Sequence, residues 1–168
     1  MRHARGYTLV EVLVVMVIIG VLAAAVGLSG AARGDGYVLR EEAERFAAVL
    51  RLLADEAVQD NREYGVQINA QGYEVRAYDA FDGRWRVQPD WSPRQLPQDM
   101  QMTLNVEGAP VVLADAGVDA QPPQIVLSSS AQSTPFSATM TATDKHGLAY
   151  RIIADGFNEP QVQLVSQP

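Results

Sequence analysis

One carboxylate, Glu11, sits one turn inside an apolar run long enough to cross a lipid bilayer, and this combination restricts what the chain can become. From Tyr7 to Leu28 the sequence reads YTLVEVLVVMVIIGVLAAAVGL, in which only Thr8 and Glu11 are plainly polar. A helix over this stretch is about 33 Å long, matched to a hydrocarbon core of about 30 Å. A carboxylate in such a segment costs about 2.5–3.5 kcal/mol near the helix centre and less towards the end. Glu11 therefore calls for a partner.

Two plain readings compete locally. A secretory signal peptide has a basic start, as here with Arg2, His3 and Arg5, but a shorter apolar core and no acid within it. An ordinary signal anchor would let Glu11 snorkel to the cytoplasmic interface. The wider pattern takes in the flanks: basic leader, Gly6, aromatic Tyr7, then Thr8-Leu9-Val10-Glu11 and the hydrophobic helix. This resembles the N-terminus of type IV pilins and pseudopilins. The resemblance implies that Gly6 precedes the cut made by the prepilin peptidase on the cytoplasmic face. Tyr7, where Phe is usual, would be the new N-terminus and become N-methylated. Glu11 would pair with the N-terminal amine of a neighbouring subunit. A buried charge is compensated only when the partner cation arrives in the right stagger, so Glu11 would set assembly register.

Charge and composition limit the remainder. Beyond the apolar segment there is room for one modest domain. The 168 residues include no cysteine, which removes disulfide frameworks and cysteine-type zinc sites. Loss of Met1 to Gly6 takes away Arg2 and Arg5 and moves the net charge from −7 to −9, poorly suited to a phosphate backbone. The basic leader, with few cations just after Leu28, keeps the N-terminus inside. It places everything from about Ser29 onward outside the cytoplasm.

The pattern divides the chain into a leader (1–6), a membrane and assembly helix (7–28), a continuing amphipathic helix (29–63) and a β-rich head (64–168). Gly30, Gly34 and Gly36 weaken the helix between membrane and head. From about Tyr37 to Glu63, Leu39, Ala43, Phe46, Leu50, Leu53 and Ala57 form one apolar stripe, with Val49 and Leu52 widening it. The run Glu41-Glu42-Ala43-Glu44 reads as a solvated face. After Tyr64 the period becomes two, predicting a hairpin over Tyr64–Ile68 and Tyr73–Ala77, then strands at Arg84–Val87, Met100–Val106, Val111–Leu113, Ile125–Leu127, Phe136–Ala142 and Leu148–Ala154. Pro89, Pro93 and Pro97 break the pattern, and 114–123 has the composition of a surface loop. One long helix followed by about eight short strands argues an α+β fold with antiparallel sheets covering the helix stripe.

Catalytic constellations are weak. His3 leaves with the leader and His146 sits in a turn signal. Ser128-Ser129-Ser130 lacks the nucleophile-elbow glycines, and there is no phosphate-cradling loop. Asp79 and Asp82 read as a turn, not a calcium loop. Trp85 and Trp91 read as packing residues. No catalytic residue, metal site or cofactor is expected.

The head adds a second resemblance. Arg40-Glu41-Glu42-Ala43-Glu44-Arg45-Phe46-Ala47, Asp55-Glu56-Ala57, Tyr64-Gly65-Val66, Gly72-Tyr73, Pro123 to Ser129 and Thr134-Pro135-Phe136 are similar to the minor pseudopilin H family of type II secretion. This implies a pilin-like fold, a long N-terminal helix with a head of two packed β-sheets, and no enzymatic activity. It implies a place in the tip of a periplasmic pseudopilus beside the major pseudopilin G and the minor pseudopilins I, J and K. The precursor would meet the prepilin peptidase and inner-membrane lipid. A minor pilin of a type IV pilus, including a DNA-uptake type, is the alternative. Arg84, Arg86 and Arg94 are the candidates for a basic patch there, but with an acidic mature chain no nucleic acid is expected.

Overall fold

The computed structural model describes residues 9–31, 35–113, 122–143 and 147–166. The chain forms two compact units, Met1–Tyr37 and Val38–Pro168.

The first unit contains α1, Leu9–Ala31, free of proline and rich in aliphatic residues. Its described side chains, Leu9 to Leu22, are exposed on every face, Leu9 at 82% and Met16 at 67%. Among the described residues no helix is long and apolar enough to cross a membrane. The stretch with described side chains is shorter than the about 20 residues a span requires.

The second unit is built around α2, Asp35–Gln59. Leu39, Ala43, Phe46, Leu50, Leu53 and Ala57 are all buried, as their spacing predicts, and Ala47 joins them. Leu52 does not widen the stripe; it is 51% exposed, whereas Val49 packs against the core. Outer-face pairs Arg40–Glu44 at 2.7 Å and Glu41–Arg45 at 3.2 Å span one turn each, worth about 0.3–0.5 kcal/mol apiece. The helix stops short of the expected Glu63 because Asn61 turns left-handed, with φ 48°. Asn61 N then donates to Val58 O and Arg62 N to Ala57 O, the paired bonds that close a helix C-terminus. Of the three weakening glycines, Gly30 lies in α1 and Gly36 in α2, while Gly34 is outside the described residues.

Ten strands follow among the described residues. The first sheet runs β3(Arg84–Val87), β2(Gly72–Asp79), β1(Tyr64–Asn69), β7(Ile125–Leu127), with β4(Arg94–Gln95) also on β2. The second runs β10(Gln161–Ser166), β9(Leu148–Ala154), β8(Phe136–Ala142), β5(Met100–Val106), β6(Ala109–Val111). Every pairing is antiparallel. Strand alternation is clear in β8, where Phe136, Ala138, Met140 and Ala142 are buried and the residues between them are not. The β5–β6 turn has positive φ at both Glu107 (51°) and Gly108 (82°), the backbone twist that joins a tight hairpin. Phe46 ties the layers together. Its ring meets Tyr73 of β2 edge-on at 4.9 Å and Phe136 of β8 at 6.4 Å, so one helix residue touches both sheets.

Three expectations change. β4 forms inside the proline-broken stretch, β10 lies beyond the last expected strand, and β6 begins two residues earlier than the strand expected from Val111. Of the expected loop at 114–123, residues 114–121 lie outside the described residues.

Candidate functional site

Glu11 lies in the first described turn of α1. Its side chain is exposed, and Glu11, Val12, Val15, Met16 and Ile19 line one shallow flank. Apart from that carboxylate the flank is apolar. Gly6 and Tyr7, the other two candidate site residues, lie outside the described residues, as do His3 and His146.

In the head the charges serve structure. Glu42 was expected on a solvated face and is instead 4% exposed. It lies three residues after Leu39 and four before Phe46, so the helical period itself puts it beside the stripe. Arg94 Nε donates to Glu42 Oε2 at 3.1 Å and Arg94 Nη2 donates to Oε1, a two-pronged contact. The bond to Glu42 raises the Arg94 guanidinium further above its ordinary value. Tyr73, directly opposite Arg94 in the β2–β4 ladder, has its phenol pushed up to about 12 by burial, then by the charge of Glu42.

The weaker candidates also resolve into structure. Asp79 Oδ1 accepts from the backbone N–H of Phe81 and Asp82, and Arg86 pairs with both Asp79, at 3.0 Å, and Asp82. This is a turn held by an arginine. Ser128 and Ser130 hydroxyls bond each other at 3.0 Å, and Ser130 N donates to Ser128 Oγ. Trp85 packs on Tyr78 with ring centroids 5.3 Å apart, and Trp91 Nε1 donates to Glu56 Oε2 at 3.3 Å. Among the described residues no group of three or more histidines and carboxylates is placed to hold a metal ion. Two of the three arginines of the candidate basic patch, Arg86 and Arg94, have carboxylate partners, which removes most of its free charge.

Comparison with known proteins agrees at both ends of the chain. A family model described as "Prokaryotic N-terminal methylation motif" matches residues 1–27, and one described as "Type II transport protein GspH" matches residues 42–156. Type II secretion system protein H of Pseudomonas aeruginosa is 38% identical, covering 98% of each chain. The protein of that name from Aeromonas hydrophila is 32% identical over 93% of this chain and 92% of its own. The crystal structure of the minor pseudopilin EPSH from the type II secretion system of Vibrio cholerae superposes with a TM-score of 0.60 at 20% identity, covering 78% of this chain and 95% of that one. The solution structure of Escherichia coli GspH gives 0.56 at 20% identity, over 77% and 90%.

Proposed function

The chain belongs to the type II transport protein GspH family and is a minor pseudopilin of type II secretion, and from that premise we propose how its parts divide the work. Residues 1–6 are a leader removed between Gly6 and Tyr7 by the prepilin peptidase, and Tyr7 is then N-methylated. Residues 7–28 anchor the chain in the inner membrane with the N-terminus cytoplasmic. They later carry it into the filament, where Glu11 pairs with the amine of an adjacent subunit. The amphipathic helix (29–63) and the β-rich head (64–168) stand in the periplasm as a non-enzymatic subunit of the pseudopilus tip. Their neighbours are the major pseudopilin G and the minor pseudopilins I, J and K.

The observation that carries this reading is a contrast between the two helices. In α2 the apolar stripe is covered by the sheets of its own unit, whereas the described aliphatic side chains of α1 remain exposed around the whole helix. Such a surface needs lipid before assembly and other apolar helices after it. The head's own stripe is covered, and among its described residues Asp79, Asp82, Ser128 and Ser130 are held in turns and ion pairs.

The test is replacement in a secreting strain that lacks its own protein H. This chain should restore export, and intact-mass measurement of membrane-extracted protein should find a mature chain beginning at methylated Tyr7. A chain starting at Met1 in cells with active peptidase, or no restoration of export at equal membrane levels, would overturn it.

A further inference from the structure

Four sheet edges are present among the described residues, and three are blocked in ways that the fourth is not. The outer edge of β7 is occupied by its own following loop: Thr134 N donates to Val126 O at 2.9 Å, Val126 N donates to Thr134 Oγ1, and Leu127 bridges to Ser133. β3 carries Arg84 and Arg86 within four residues. β6 is three residues long with Pro110, which has no N–H to offer, at its centre. Short length, charge and proline are the usual defences of an exposed edge.

β10 has none of them. Its six residues read QVQLVS, without charge, proline or glycine, in a chain whose net charge is −7. Among the described residues it pairs only with β9. Its register shows a second unfinished feature. Val162 and Leu164 stand opposite Ile152 and Tyr150, on the face where Ile152 is fully buried, yet Leu164 is 60% exposed. A strand laid beside β10 would use the open backbone groups and bring its own apolar residues alongside Leu164.

The geometry points to β10 as a strand-addition site, extending the second sheet by one strand taken from the head of a different pseudopilin. The occupant is an extended, uncharged segment with apolar residues at every second position on the α2 side. It is not a second copy of β10. Pairing two identical edges is isologous and closes on a two-fold axis, whereas a filament in which Glu11 meets the next subunit's amine is heterologous and has none. The inference rests on that proposed assembly.

Amide hydrogen exchange on the full chain tests it, comparing detergent-extracted protein alone with the same chain recovered in the pseudopilus of secreting cells. In the assembly β10 amides should slow at least ten-fold, with β3 and β6 unchanged. Leu164→Lys, which puts a charge where the added strand must lie, should cut recovery with the pseudopilus at least ten-fold while leaving exchange in β8 as in the wild type. Phe81→Lys, on the 97% exposed tip of the β2–β3 turn, should change neither. Recovery of the wild-type chain with β10 unprotected, or undiminished recovery of Leu164→Lys, overturns the strand addition alone. Concentration-dependent protection of β10 in the isolated chain would assign the edge to self-pairing and also overturns it. Failure of the wild-type chain to enter the pseudopilus overturns the assembly reading beneath it.

Discussion

Arg94 on β4 reaches Glu42 on α2, 52 positions earlier, and closes both carboxylate oxygens in a contact whose acid is 5% exposed and whose base is 39% exposed. β4 is only two residues long, too short for its ladder to hold the proline-broken segment in place. The ion pair ties the segment to the helix, beside the hydrogen bond from Trp91 Nε1 to Glu56. Gly72 allows it from the other side: a Cβ there would lie 1.9 Å from the Arg94 carbonyl oxygen, so only glycine lets β2 approach β4 this closely.

Arg94→Met should destabilise the head by about 1–3 kcal/mol, below the about 3–5 kcal/mol for a fully buried pair because water reaches the guanidinium. The loss comes from Glu42 left without its cation, so adding Glu42→Met should recover part of it. Urea unfolding of the two variants decides this. A double variant no more stable than Arg94→Met would show that the arginine's packing matters, not its charge.

Tyr73 gives the same site a pH signature. Its folded value of about 12 exceeds the ordinary 10.0, so the phenol's stability contribution is complete below pH 10 and is lost as pH rises through 12. Ultraviolet titration should show two late-ionising tyrosines, Tyr73 and Tyr64, the second also pushed up to about 12, and Tyr73→Phe should remove one of them. Glu42→Gln removes the anion that opposes phenolate formation and leaves Arg94 to favour it, so the midpoint of Tyr73 should fall towards 10 while burial keeps it above.

The stripe of α2 can be tested with two leucines two residues apart. Leu50 is 2% exposed and Leu52 51%. Leu50→Ala should cost about 2–5 kcal/mol, and Leu52→Ala should fall within about 0.5 kcal/mol of wild type. Equal losses would mean that Leu52 is covered in the folded head.

Periodicity made the α2 stripe and most of the strands legible, because burial of one face imposes a period that the sequence must carry. Residue type misleads where position does not. Glu42 is an acid among acids, yet its spacing from Leu39 and Phe46 puts it on the buried side. Leu52 is a leucine, yet it faces outward. β4 was invisible since its pairing depends on a glycine and a long-range ion pair, neither of which has a local signature. β10 carries a signal of its own, the alternation of Gln161, Val162, Gln163 and Leu164. The N-terminal motif is linear, so Glu11 can be singled out without any fold, and the amine proposed to meet it belongs to another subunit.

Glu11→Gln separates the two demands placed on α1. The amide keeps the shape and removes the charge, so insertion in the membrane should persist or improve, since an isolated carboxylate is costly there. Incorporation should fall, because the neighbour's N-terminal amine then enters an apolar contact without a counter-charge. Crosslinking to the major pseudopilin and export in a strain lacking the native protein are the two readouts, taken at equal membrane levels. Docking to the fibre should drop markedly while head-to-head binding among minor subunits declines less, since the head contacts do not involve this carboxylate. Wild-type crosslinking and export would mean that Glu11 does no more than reach the interface, and the register-setting role would be abandoned.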